Sequence, residues 1–190
     1  MRLIFADVET TGFSREWDSI IEIAAIVVDE DLNEIDRFHE YIYPGKSIPA
    51  NITEITGITN EMVKGKRSEG DVVMDFLVWV LDQEADRIVG HNYDAFDGQF
   101  FNTKAIKYGL TPLSLETIDT LKVAREKKIP TNMRTARGAH SYRQEALADY
   151  YGIEYQAHSA IEDVKALIEI YKKMTSETQN ISEARKSLGF

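Results

Sequence analysis

The 190-residue sequence predicts an α/β domain built around a mixed sheet. Its opening stretch, up to Pro44, holds three β-rich runs. Helical and extended patterns then alternate, and the final third is helical with clear stop residues. RLIFADVE is an apolar run with carboxylates only at its far end, the pattern of a buried strand. IIEIAAIVVDED is a second β-rich run, and RFHEYIYP alternates before stopping at Pro44. Asp31-Leu32-Asn33 supplies turn residues between the second and third runs, which makes them a hairpin.

NITEITGITNEMV reads as short helical turns around Gly57, with Asn60 as a cap. Asp71 to Asp82 brings Val72, Phe76, Trp79 and Val80 to helical spacing, a core-facing helix. RIVGHN is a short buried strand, followed by a helix from Ala95 to Tyr108 that ends at Gly109. LETIDTLKVAREKK begins extended and turns helical. SYRQEALADYYG is a helix with Ser141 as cap and Gly152 as stop. The last helix is expected from Ala160 to Met174. After Thr175 a polar spacer leads into ISEARKSL, a short amphipathic segment with weak helical signals. The folded unit is therefore expected over 1–175, with 176–190 as a short tail.

Hydrophobic residues make up 43% of the chain and charged residues 28%, which excludes a disordered chain. The absence of cysteine excludes disulfides and zinc–thiolate sites. MRLIFADVE places acids where a signal peptide needs an apolar run, and FLVWVL is far too short to span a membrane. The expectation is a cytoplasmic protein with no membrane partner. A net charge of −10 argues against a general nucleic-acid binder. Yet Lys122 to Arg143 holds seven basic residues and one acid, so that stretch is +6 and the remainder −16. Divalent cations can offset carboxylates while a basic strip holds a phosphate backbone. The strip reads equally well as a solvated loop.

Three acidic segments carry the chemistry. Asp7 and Glu9 lie two apart on a strand and so share a face. An apolar strand that aims two carboxylates at one side needs compensation, and hard oxygen ligands suit Mg²⁺ or Mn²⁺. Taken alone, the pair is more simply the solvated end of an edge strand. In HNYDAFDGQFF, Asp97 falls in the first turn of a helix with Phe96, Phe100 and Phe101 for packing, and Asp94 is the expected cap. Alone, Asp97 is an ordinary dipole partner. In HSAIEDVKALIEIY, His158 precedes a helix and Asp163 falls in its second turn, beside the apolar row Ile161, Val164, Leu167 and Ile168. A lone histidine there is usually a surface or capping residue. Four acids and one histidine at such positions together fit a two-metal hydrolase.

FADVETTG, HNYDAFD and HSAIED resemble, in order, the three motifs of the DEDDh 3′→5′ exonucleases. That group includes the proofreading epsilon subunit of bacterial DNA polymerase III, ribonuclease T and oligoribonuclease. Asp7-Val8-Glu9-Thr10-Thr11-Gly12 matches the first motif, and Asn92, three residues, then Phe96-Asp97 match the second. His158, four residues, then Asp163 match the third, while Ser159 stands where a related subgroup has tyrosine. Thr56-Gly57-Ile58-Thr59 departs from the usual His-Gly-Ile-Thr. IDTLKVAR and SYRQEALADYYGI also resemble family segments, and the resemblance spans Leu3 to Lys172.

The resemblance implies a ribonuclease H-like fold, a five-stranded mixed sheet flanked by helices. It implies two Mg²⁺, replaceable by Mn²⁺, held by Asp7, Glu9, Asp97 and Asp163, with His158 as general base. Thr10 and Thr11 would contact the terminal nucleotide, Ile58 and Phe96 would stack on or wedge beside the last bases, and Asn92 would support the site. Phe96 serves equally well as core packing. The implied activity is release of nucleoside 5′-monophosphates from DNA 3′ ends, single-stranded or frayed. DNA is favoured over RNA, and an RNA-trimming enzyme or a polymerase-associated proofreading subunit are the alternatives. A catalytically silent binding module would lack at least one of the five site residues, and all five are present. Lys127, Lys128, Arg134 and Arg137 are expected to guide the substrate strand. The oligomeric state is not legible.

Overall fold

The computed structural model describes residues 1–154 and 156–187, with side chains of the last helix described to Ser176. The chain runs β1 (Leu3–Thr10), β2 (Ile20–Val28), β3 (Glu34–Tyr41), α1 (Ala50–Thr56), α2 (Asn60–Val63), α3 (Glu69–Asp82), β4 (Arg87–Gly90), α4 (Asp97–Lys107), β5 (Glu116–Asp119), α5 (Thr120–Glu126), α6 (Gln144–Tyr151) and α7 (Ala160–Ser187). The sheet has five strands in the order β3-β2-β1-β4-β5, with β1 at its centre. β1 pairs antiparallel with β2 along its length, and parallel with β4 only from Leu3 to Phe5. β3 extends the antiparallel half and β5 the parallel half, which gives the expected mixed sheet.

Strand periodicity divides the core into two layers. Ile4, Ala6 and Val8 of β1, with Ile23, Ala25 and Val27 of β2, face α3 and α4 through Val72, Phe76, Phe100 and Phe101. Leu3 and Phe5, with Ala24, Ile26 and Val28, face α7 through Val164, Leu167 and Ile168. Helices cover both faces, so every position of β2 is buried and the run reads as continuously apolar. In the β2–β3 turn the Asp29 carboxylate accepts from the amides of Asp31 and Asn33, with Leu32 at φ 63°.

Several boundaries differ from the sequence expectation. α7 passes Met174 without a break, because no glycine or proline interrupts residues 160–187. The hydroxyls of Thr175 and Ser176 donate back to the carbonyls of Tyr171 and Lys172, so the polar spacer is taken into the helix. Ser68, not Asp71, opens α3, its side chain accepting from the Asp71 amide. Thr59 caps α2, while the Asn60 side chain accepts from Ile48 N at 2.8 Å. Asp94 is no cap: it accepts from Thr117 Oγ1 and Lys122 Nζ, and α4 begins at Asp97. Ser141 is buried before α6, which begins at Gln144 with Arg143 at its N-cap. Among the described residues no helix is long and apolar enough to cross a membrane.

Candidate active site

The side of β1 that packs on α7 through Leu3 and Phe5 continues with Asp7 and Glu9, and these two arrive where α7 begins. Asp163 meets them there, in the first rather than the second turn of α7. One carboxylate oxygen from each of Asp7, Glu9 and Asp163 lies within 4.8 Å of the others. Asp97 approaches from the opposite edge of β1. Pairing with β4 ends at Phe5, and beyond it Asp97 Oδ1 accepts from the Val8 amide at 3.2 Å. Asp97 lies outside the three-acid group but lines the same cleft.

The electrostatics of this arrangement call for a cation. Burial raises the Asp7 carboxyl well above the usual range, and the charges of Asp97, Asp163, Glu9 and Glu22 add to the effect. Glu9 is pushed up to about 8, first by burial and then by Asp163, Glu22 and Asp97. Asp97 is pushed up to about 7 by burial, against hydrogen bonds from its own amide and that of Val8. Converging carboxylates that repel one another, all oxygen donors, match the hard ligand set of a divalent ion.

His158 stands at the entrance to α7 in a left-handed backbone conformation, φ 69°. Its amide donates to Asp163 Oδ2 at 2.8 Å, which ties the histidine to the acid cluster. The side chain is half exposed, with Nε2 3.8 Å from Glu145 Oε1. Gln144 Nε2 donates to the Asp163 carbonyl at 2.8 Å and to its Oδ1 at 3.3 Å. These residues border a cleft of about 1080 Å³. Phe13, Ile55 and Phe96 line it, together with Arg125, His140, Tyr142 and Arg143.

The Exonuclease (RNase_T) family profile matches residues 4–171. The chain belongs to the exonuclease family. It is 36% identical over 157 residues to the PolC-type DNA polymerase III of Pediococcus pentosaceus, covering 83% of this chain and 10% of that one. It is 32% identical over 169 residues to the DNA polymerase III epsilon subunit of Treponema pallidum, covering 88% of this chain and 74% of that one. The chain therefore spans about a tenth of the PolC-type relatives it matches. E. coli exonuclease I in complex with a dT13 oligonucleotide superposes with a TM-score of 0.82 at 24% identity. That match covers 96% of this chain and 43% of the other and supports the fold.

The structure distributes the remaining expected site residues unevenly. Asn92 lines the cleft at φ 62°, its amide donating to Asp119 Oδ1. Phe96 lines the cleft and also packs 5.0 Å from the Phe100 ring. Thr10 and Thr11 are buried and turned inward. Thr10 Oγ1 donates to Gly12 O, and Thr11 Oγ1 donates to Asp18 and accepts from the Ser19 amide. Ile58 is not in the cleft. Gly57, at φ 71°, turns the chain inward at the end of α1, and Ile58 packs on Ile21, Ile48, Ile52 and Val63. Ile55, half exposed, lines the cleft instead. Of the basic strip, Arg125 and Arg143 reach the cleft. Lys127, Lys128, Arg134 and Arg137 do not line it, and Lys127 Nζ donates to the Met174 carbonyl.

Glu22 and His91 also belong to the site, though no motif marks them. Glu22, fully buried on β2, stands directly across from Glu9. Its Oε1 lies 2.7 Å from His39 Nε2, and its Oε2 accepts from the Ala160 amide that opens α7. One acid inside IIEIAAIVV, in register with Ala24 and Ile26 on the α7 side, was the readable sign. His91 lines the cleft with Nδ1 2.9 Å from Thr120 Oγ1, and burial pushes its pKa down to about 4, which keeps it neutral.

Proposed function

We propose that this exonuclease removes nucleoside 5′-monophosphates one at a time from the 3′ end of single-stranded or frayed DNA. Asp7, Glu9, Asp97 and Asp163 would hold two divalent cations, Mg²⁺ or Mn²⁺. The observation that carries the proposal is the convergence of the mutually repelling carboxylates of Asp7, Glu9 and Asp163, with buried Asp97 beside them, in one cleft of about 1080 Å³. When bound, the cations supply Lewis acidity and compensate charge at the phosphate.

The chain's own groups supply the rest. His158 accepts a proton from water as the water oxygen attacks phosphorus and the bond to the leaving 3′-oxygen breaks. Its backbone tie to Asp163 couples the base to the acid cluster, and Gln144 orients the same carboxylate. Phe96 and Phe13, whose rings lie 6.3 Å apart, offer stacking faces for the last bases, with Ile55 beside them. Asn92 borders the same space. Thr10 and Thr11 act by shaping the loop that presents Phe13. Arg125 and Arg143 attract the phosphodiester backbone. DNA is the preferred substrate by likeness to DNA polymerase III relatives and to exonuclease I structures containing dT13 and dA16.

The test is incubation with Mg²⁺ and 5′-labelled single-stranded DNA and RNA of one sequence, beside an Asp7→Ala control. The expected result is a ladder shortening from the 3′ end, faster on DNA and absent in the control. Faster shortening of RNA would reverse the substrate preference. No shortening of either, in Mg²⁺ or Mn²⁺, would overturn the proposal.

A further inference from the structure

The loop between β1 and β2 carries two of the most exposed large apolar side chains among the described residues, Phe13 at 85% and Trp17 at 78%. Only Phe13 lines the cleft. Exposed aromatics usually sit on mobile loops or are covered by a partner, yet this loop is tied down. Residues 14–18 form a single helical turn in which the Asp18 amide donates to Ser14 O at 2.7 Å and the Trp17 amide to Ser14 Oγ at 3.3 Å. The Asp18 carboxylate closes the turn by accepting from Thr11 Oγ1 and the Ser14 amide. It lies against Gly12, where an added Cβ would fall 2.4 Å from Asp18 Oδ2. Lys46 Nζ donates to the Trp17 carbonyl at 2.7 Å, and Arg15 donates to Gln99 Oε1 on α4 at 2.9 Å. The buried Lys104 amine donates to the Asp18 carbonyl from beneath.

A loop fixed by this many bonds holds the indole in water at a defined place, four residues along the chain from Phe13, whose ring lines the cleft. Among the described residues Trp17 has no ring partner within the molecule, whereas Phe13 packs edge-on to Phe96. A rigid, unstacked indole close in sequence to a cleft-lining ring suits a flat π-ligand.

We propose that Trp17 is a second base-stacking site, outside the cleft, which holds an unpaired nucleobase on the 5′ side of the nucleotides that enter it. This inference rests on the nucleic-acid reading above and specifies its substrate: a single strand long enough to leave the cleft and reach the β1–β2 loop. Stacking on an indole tolerates any base, so the site would add length dependence without sequence preference.

Trp17 and Trp79 are the two tryptophans of the chain, and Trp79 packs on Phe38 and Phe76. In a Trp79→Phe protein, checked for an unchanged fold by circular dichroism, fluorescence therefore reports Trp17 alone. The probes are thymidine dinucleotide and a longer oligothymidylate, both with nuclease-resistant phosphorothioate linkages, in Mg²⁺. The longer strand should quench the indole and the dinucleotide should not. Trp17→Ala should weaken the longer strand about tenfold and leave the dinucleotide unchanged, while Trp17→Phe keeps most of the affinity. Hydrolysis of thymidine 5′-monophosphate nitrophenyl ester is measured in parallel. Wild-type protein that cleaves the ester, with no quenching and no loss of affinity in Trp17→Ala, overturns the Trp17 site alone. Wild-type protein that neither cleaves the ester nor binds either strand overturns the nucleic-acid reading, and the Trp17 site falls with it.

Discussion

Removing divalent metal should make this protein less stable as pH rises towards 8, and the carboxylate cluster sets the size of the effect. Glu9 holds its proton in the folded chain up to about 8, against an ordinary value of 4.5, and Asp97 up to about 7 against 3.8. The unfolded chain has already lost both protons by neutral pH. A raised carboxyl contributes stability that is complete below the ordinary carboxylate range and is lost as pH climbs to the folded value. From about pH 6.5 to about 8, Glu9 alone accounts for 1.5 pH steps at 1.36 kcal/mol each, ~2 kcal/mol. Asp97 adds up to ~0.7 kcal/mol before it finishes titrating near 7. Because the two groups share the same neighbours, roughly 2 kcal/mol is expected for both together.

For a domain of this size that lowers the melting temperature by roughly 4–8 °C. Buried His91 works in the other direction, since its folded value of about 4 lies below its ordinary 6.5, but its contribution is complete by pH 6.5. The window is therefore read without it. Scanning calorimetry in EDTA across that window, with and without saturating Mg²⁺, measures the effect. Metal at one hundred times its dissociation constant should restore about 2.7 kcal/mol. Asp163→Asn should flatten the metal-free slope and raise the midpoint at pH 8, because the Asp163 charge raises Asp7, Glu9 and Asp97 alike. A metal-free midpoint that is flat or rising over the window, or an Asp163→Asn slope as steep as wild type, would refute the reasoning.

Glu22 should act on catalysis without touching substrate, because its carboxylate fastens the Ala160 amide at the start of α7. Glu22→Ala is expected to lower kcat about tenfold, at constant KM for DNA and with a higher Mg²⁺ requirement, while Glu22→Gln recovers most of the loss. Steady-state kinetics at a temperature where both variants are fully folded decide the matter, and an unchanged Mg²⁺ requirement in Glu22→Ala would remove the role. The basic wall makes a separate prediction. Replacing Arg125 and Arg143 together by Gln should reduce the slope of log affinity against log salt by about 1.4 for single-stranded DNA. Replacing Lys127 and Lys128 should change it little, since neither lines the cleft. The reverse outcome would return the substrate track to the residues expected from the sequence.

What was legible in the sequence followed from periodicity. Asp7 and Glu9 two apart, after Leu3 and Phe5, fixed the face on which the acids emerge, and the apolar row after Asp163 fixed the helix that meets them. What was lost depended on single backbone dihedrals or on bonds between distant segments. Gly57 in the left-handed region reverses the chain after α1, so Ile58 turns inward and Ile55 takes the cleft. Ser141 and Asp94 are typical cap residues. Their capping roles failed because the Ser141 backbone bonds to Met133 and Thr131 and the Asp94 side chain to Thr117 and Lys122, none of which is predictable from neighbours in sequence. Thr10 and Thr11 were placed by motif rather than by geometry, and the geometry gives their hydroxyls to the loop.

Centrally, Asp7, Glu9, Asp97 and Asp163 are proposed to form one cluster that holds two divalent cations and is partly protonated when empty. Calorimetric titration of Mn²⁺ at about pH 7 in two buffers of different ionisation enthalpy tests this directly. Saturable binding is expected, with net release of protons from Asp7, Glu9 and Asp97 and weaker binding in Asp163→Asn. Binding without proton release, or binding that Asp163→Asn leaves unchanged, would contradict it.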